Sequence, residues 1–245
     1  VSLTSRSGAG AAMHKVEIIP DVLARTEKWR GGRDVYASLD PRKTALVVID
    51  MQNAWLVEGQ PAYGAGIAQI VPNINRLAEA VRAGGGPVFW IKMTITQETL
   101  AEWTVMREFL REPEVQRRWA EALSPGAFGF ELFDGLDVRD EDEVVVKKRY
   151  SALIQGASDL EARLRARGID TILVTGTATN TCCEATARDG MMLNFRAIVV
   201  SDANAARSDA EHSASLSNLL NMFADVRTTD EMIALLARQR EAVAG

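Results

Sequence analysis

Five strand-length runs rich in apolar residues, at 45–50, 87–93, 143–147, 171–175 and 197–201, recur along this chain with helix-patterned segments between them. Strands of a parallel sheet covered on both faces read as near-continuous apolar runs, and each return to a parallel neighbour needs a long crossover, usually a helix. The alternation therefore predicts an α/β fold, a three-layer α-β-α sandwich around a doubly wound, mainly parallel sheet of about six strands. The sixth strand is expected near 225–227. Helices are expected over 67–83, stopped by Gly84, Gly85 and Gly86, over 158–167, stopped by Gly168, and over 184–194, 209–223 and 230–242. The segment 98–123 is charged, carries tryptophans and is interrupted by Pro113. It is longer than a simple crossover requires and is expected to form a lid or a subunit contact.

In open sheets of this kind, ligands bind beyond the carboxyl ends of the strands. That rule selects Asp50 at the end of the first run, Lys147 at the end of the third, and Cys182 just past the fourth. Cys182 and Cys183 are the only cysteines, and they follow a glycine turn in GTATNTCCEATARDG, residues 176–190. They are expected to open the next helix. There, unpaired backbone N–H groups and the helix dipole would lower a thiol pKa and hold a developing oxyanion.

The chain's 245 residues, 47% hydrophobic and 25% charged, suit one domain with a full core, expected over 13–245. Residues 1–12 are small, polar and glycine-bearing and are expected to be a disordered leader, with Met13 as the native start. A net charge of −5 and a pI near 5.3, with no basic stripe, argue against nucleic acid as a partner and leave small molecules. No apolar stretch approaches the roughly 18–20 residues of a transmembrane helix, so no membrane partner is expected. Adjacent cysteines are poorly placed to pair with each other, which suits free thiols in a reducing compartment and a cytoplasmic location.

Three separated motifs resemble the isochorismatase-like cysteine hydrolases. ALVVIDMQNAW, residues 45–55, resembles the strand that ends in the family's catalytic aspartate, VVVKKRYSAL, residues 144–153, the segment with its lysine, and 176–190 the segment with its cysteine. Register within each motif selects Lys147 over Lys148, expected in solvent, and Cys182 over Cys183, expected to be a packed neighbour. The resemblance implies a catalytic triad of Asp50, Lys147 and Cys182, an oxyanion hole from the amides of Ala178 and Cys182, and a cis peptide between Thr177 and Ala178. It further implies that Cys182 attacks an amide carbon, that Asp50 moves the protons, and that a thioester intermediate is hydrolysed by water. Relatives are dimers and tetramers, and five tryptophans with few obvious core slots add to the expectation of a homo-oligomer.

Nicotinamidases of the family build a metal site from histidines near the second strand. WIKMTITQETL, residues 90–100, has none, so neither a metal nor another cofactor is expected. Of the two histidines, His212 is expected to be exposed or to cap a helix. In motif the chain is most similar to the ureidoacrylate amidohydrolases, which implies a small amide or ureide substrate, cleaved at a C–N bond. Biuret-like ureides, N-carbamoyl amino acids and maleamate-like amides stay open, as does a non-catalytic oligomeric binding relative. Asn53, Trp55, Lys92 and Tyr150 are the expected substrate contacts, Trp55 and Tyr150 walling a planar ureide and Lys92 pairing with a carboxylate. For each of the four, a packing or subunit-contact role stands equally open.

Overall fold

The structure, a computed structural model, describes residues 14–244; the expected leader, 1–12, lies outside them. Six strands form one sheet: β1 (Thr44–Ile49), β2 (Val88–Met93), β3 (Glu143–Lys147), β4 (Thr171–Thr177), β5 (Arg196–Ala205) and β6 (Asp225–Arg227). Their order is β3-β2-β1-β4-β5-β6, and every neighbouring pair is parallel. The chain builds outward from β1 to β3, then returns across the sheet to β4. This reversal opens a crevice between the carboxyl ends of β1 and β4.

The helices are α1 (Pro20–Arg30), α2 (Asn53–Leu56), α3 (Val71–Ala83), α4 (Gln97–Glu102), α5 (Thr104–Phe109), α6 (Pro113–Leu123), α7 (Leu160–Ala166), α8 (Glu184–Met192), α9 (Asp209–Met222) and α10 (Thr229–Ala244). Side chains alternate across a strand, so each strand feeds two cores. Ala45, Val47 and Ile49 of β1 pack with Leu160 and Leu164 of α7, Ala187 of α8 and Leu216 and Leu219 of α9. Leu46 and Val48 pack with Ile74, Leu77 and Val81 of α3 and Met232 and Leu235 of α10. β1, β2 and β4 are buried at every residue, which is why their sequences read as mostly apolar runs.

Two regions go beyond the expected elements. Ahead of α1, an extended arm runs along α9 with His14, Val16 and Ile18 buried and Lys15 and Glu17 exposed. Ser213 and Ser217 of α9 hold it by accepting from the amides of Glu17 (3.1 Å) and Ile19 (3.0 Å). The 98–123 excursion is three helices, α4 to α6, and Pro113 starts α6 rather than breaking a helix. These helices enclose a third core of Met93, Ile95, Leu100, Met106, Ala120 and Leu123, flanked by Trp55, Trp103 and Trp119. The excursion thus roofs the carboxyl end of β2.

Four of the five tryptophans have packing places within the chain. Trp90 is fully buried in the sheet and donates Nε1–H to Asp142 at 2.9 Å, three others pack in the roof, and only Trp29 is largely exposed, at 60%. Among the described residues, no helix is long and apolar enough to cross a membrane.

Candidate active site

Asp50 follows the last residue of β1, and its amide still donates to Ile91 of β2 at 2.9 Å. Its φ of 52° places it in the left-handed region, which aspartate enters more readily than most residues, and the strand ends there. Lys147 closes β3. Both side chains are fully buried, and Lys147 Nζ lies 2.9 Å from Asp50 Oδ2. The ammonium also lies 3.4 Å from Met93 Sδ and 3.5 Å from Cys182 Sγ, and donates to the Arg149 carbonyl at 3.2 Å. Despite the ion pair, neither Asp50 oxygen accepts an aligned hydrogen bond among the described residues. The contact is coulombic, and lone pairs stay available for a thiol proton.

The cysteine is brought there by backbone contact. Gly176 of β4 pairs with Ile49, and a Cβ at that glycine would lie 2.1 Å from the Ile49 carbonyl oxygen. Its φ of 111° is a conformation open to glycine and rarely to other residues. Past it, the Thr177–Ala178 peptide is cis, as the family resemblance implied. Residues Thr179–Cys183 then form a wide π turn before α8. The cysteines therefore end this turn instead of opening a helix. Where the β4–β5 register shifts, the Asn204 side chain donates to the Val174 and Val200 carbonyls at 2.9 and 2.7 Å and supports the crossing.

Above Cys182 is a cavity of about 190 Å³ walled by Trp55, Trp119, Tyr150, Ile67 and Thr181, with Ala178 also in its lining. Trp55 and Trp119 meet edge to face at 6.3 Å, and Tyr150 is braced against Trp103 at 5.0 Å. Of the triad only Cys182 faces this space; Asp50 and Lys147 stand behind it. Among the described lining residues Arg207 is the only charged one, and it has no ion-pair partner among them. A larger hollow of about 680 Å³, between α3 and α10, contains none of these groups.

The chain matches the isochorismatase domain over residues 44–231. It belongs to the isochorismatase family. The ureidoacrylate amidohydrolase of Acinetobacter baylyi is 32% identical over 211 residues, spanning 80% of this chain and 84% of that one. Among solved structures, a cysteine hydrolase from Pseudomonas syringae pv. phaseolicola is 32% identical with a TM-score of 0.74, covering 82% of this chain and 95% of that one. The N-carbamoylsarcosine amidase of Thermoplasma acidophilum is 29% identical with a TM-score of 0.62, covering 77% and 97%. The protein is an isochorismatase-family hydrolase, and these named relatives are amidohydrolases or cysteine hydrolases.

Electrostatics in this isochorismatase-family site differ from the sequence expectation. Burial, reinforced by the Asp50 carboxylate, pushes the Cys182 thiol up rather than down. Burial also raises Asp50, with Lys147 opposing. Burial works against the Lys147 charge too, but Asp50 and Cys182 outweigh it and keep the ammonium protonated. The thiol is thus the resting form. Cys183, fully buried, is also raised by burial.

Two expected substrate contacts are committed elsewhere. Lys92 pairs with Glu131 at 2.8 Å and lies 3.8 Å over the Phe130 ring, so it is not a free cation in the cavity. Asn53 is buried and donates to the Phe128 carbonyl at 3.0 Å. Trp55 and Tyr150 do reach the cavity. Lys148 is partly exposed and pairs with Glu102 of α4 at 2.7 Å, tying the roof to the end of β3. His212 is neither exposed nor a cap: it is fully buried, with Nδ1 2.8 Å from Thr179 Oγ1. Gln52 was not singled out, yet its buried amide accepts from Met93 N at 2.7 Å and donates to the Phe130 carbonyl at 2.8 Å, joining β2 to the roof. Among the described residues no group of three or more His, Cys, Asp or Glu is arranged to hold a metal.

Proposed function

We propose that this chain is a cysteine-dependent amidohydrolase that cleaves a C–N bond of a small ureido or carbamoyl acid through a thioester intermediate. The observation that carries the reading is the placement of one buried ammonium 2.9 Å from Asp50 and 3.5 Å from Cys182 at the base of a small cavity. An amide carbon is a weak electrophile, so the chemistry requires a strong nucleophile and support for the oxyanion. Asp50 takes the thiol proton, Lys147 stabilises the forming thiolate, and Cys182 adds to the carbonyl. The amides of Ala178 and Cys182 serve the oxyanion.

On collapse the C–N bond breaks, and Asp50 returns the proton to the leaving nitrogen. With a ureide this leaves an S-carbamoyl enzyme and frees an amine. Water, deprotonated by Asp50, then releases carbamate, which decays to ammonia and carbon dioxide. The walls suit a flat ureide between Trp55 and Tyr150, and Arg207 supplies a cation for a carboxylate, the role expected of Lys92.

The reading is tested by ammonia release across a panel of ureido acids, neutral ureides and small amides, with Cys182→Ala as control. Turnover of a ureido acid that the variant lacks is expected. No release from any member would overturn it.

A further inference from the structure

Arg207 lies two residues past β5, and its loop is gripped by a residue from the far end of the described chain. His14 is buried, and its ring contacts both flanks of Arg207. Ala206 N–H donates to His14 Nε2 at 3.1 Å, and His14 Nδ1 lies 2.8 Å from Asp209 Oδ1. Nε2 also lies 3.2 Å from the Ala206 carbonyl oxygen, so the ring holds both backbone polar atoms of Ala206. A carboxylate only accepts, so Nδ1–H is the donor to Asp209. The ring also stacks on His212, with centroids 4.5 Å apart and planes 24° apart. His212 in turn contacts Thr179, the first residue of the cysteine turn, at 2.8 Å. One run of contacts therefore links the loop bearing the cavity's cation to the turn bearing Cys182.

We propose that His14 is a positioning residue for anion recognition. It clamps the loop from Ala206 to Asp209 so that the Arg207 guanidinium meets a carboxylate at one end of the cavity while the other end of the ligand faces Cys182. This rests on the reading of Cys182 as nucleophile. A long arginine side chain is directed only as well as its backbone is fixed, and the orientation of a charged hydrogen bond decides its worth. His14 is not in the cavity lining. Its effect passes through Arg207 and falls on anionic ligands alone.

Iodoacetate and iodoacetamide provide a test that needs no knowledge of the substrate. They have nearly the same size and reactive carbon, and one bears a carboxylate where the other bears an amide. In each case Cys182 sulfur bonds to the methylene carbon, iodide leaves, and Asp50 takes the thiol proton. The rate of each reagent at Cys182 is measured by mass spectrometry on the full chain, and the ratio is referred to a free thiol.

His14→Ala is expected to lower the iodoacetate-to-iodoacetamide ratio about ten-fold, with the iodoacetamide rate within about two-fold of wild type. Arg207→Ala should lower it at least as far, and adding His14→Ala to it should do nothing more. His14→Asn, which keeps a donor near Asp209, should recover part of the ratio. Equal slowing of both reagents by His14→Ala, or the same further loss in the Arg207→Ala background, would overturn the proposal. Should His14→Ala fail to fold, Asp209→Ala cuts the clamp at its exposed end and carries the same expectations. Wild-type Cys182 that reacts with neither reagent would defeat the nucleophile reading, and the inference with it.

Discussion

Lys147 reaches Asp50 across an intervening strand: Nζ stands 2.9 Å from Oδ2, although β2 lies between β3 and β1 in the sheet. The lysine side chain does so by passing Met93 at the end of β2, 3.4 Å from its sulfur. Each charge is fully buried, and each makes the other's burial tolerable.

Removing one partner should therefore damage both stability and activity. Lys147→Met is expected to lower unfolding free energy in urea by ~3–5 kcal/mol, because Asp50 is left buried and unpaired. Adding Asp50→Asn should restore much of that stability and none of the turnover. A double variant no more stable than Lys147→Met would show that the pair is not the source of the loss.

The two cysteines should separate cleanly. Cys182→Ala is expected to reduce kcat by at least ~10³-fold, as loss of a nucleophile does elsewhere. Cys183 packs with its sulfur 3.8 Å from the Thr175 carbonyl oxygen, so Cys183→Ala should cost ~1 kcal/mol of stability and leave most of kcat intact. Steady-state kinetics on both variants, with circular dichroism as a fold check, decides the assignment.

Gly176→Ala should be far worse than an ordinary glycine substitution. The added methyl would sit 2.1 Å from Ile49 O and 2.7 Å from Ile49 N, so β1 and β4 have to part where Asp50 and the cysteine turn are placed. We expect loss of both soluble yield and activity. An active Gly176→Ala protein with an unchanged melting temperature would contradict the close approach.

His212 should make the fold acid-sensitive. Burial, with the neighbouring His14 adding to it, lowers its pKa to about 3 from an ordinary 6.5. Between those values the unfolded chain binds the proton and the folded one does not, so stability falls as pH falls through that window. Each pH unit costs ~1.4 kcal/mol from this group alone. Urea unfolding from pH 7 to pH 4 should show the slope, and His212→Asn should flatten it.

Much of the fold was legible because burial on both faces makes the central strands of a parallel sheet mostly apolar. The expected starts and ends of the strands lie within a residue or two of those observed, except at the end of β5. That strand runs on through Ser201, Asp202 and Asn204, polar residues that read as loop. Ending it at Ser201 hid Arg207 from the rule that selects residues at carboxyl ends. The arm at 14–18 shows an alternation of period two, but its seat is on α9, nearly two hundred residues away, and nothing local announces that contact. Lys92 misled for a related reason. Its partner Glu131 lies in irregular chain, whose position no periodicity predicts.

The seat of the arm on α9 also orders events in time. His14 and Asp209 are 195 residues apart, so the arm leaves a ribosome long before α9 does and finds its place only once α9 has been made. Until α9 is made, the apolar residues of the arm have no permanent cover, and the loop that carries Arg207 does not yet exist. Completion of the clamp thus waits for the docking of α9, which makes its formation a late marker of correct folding.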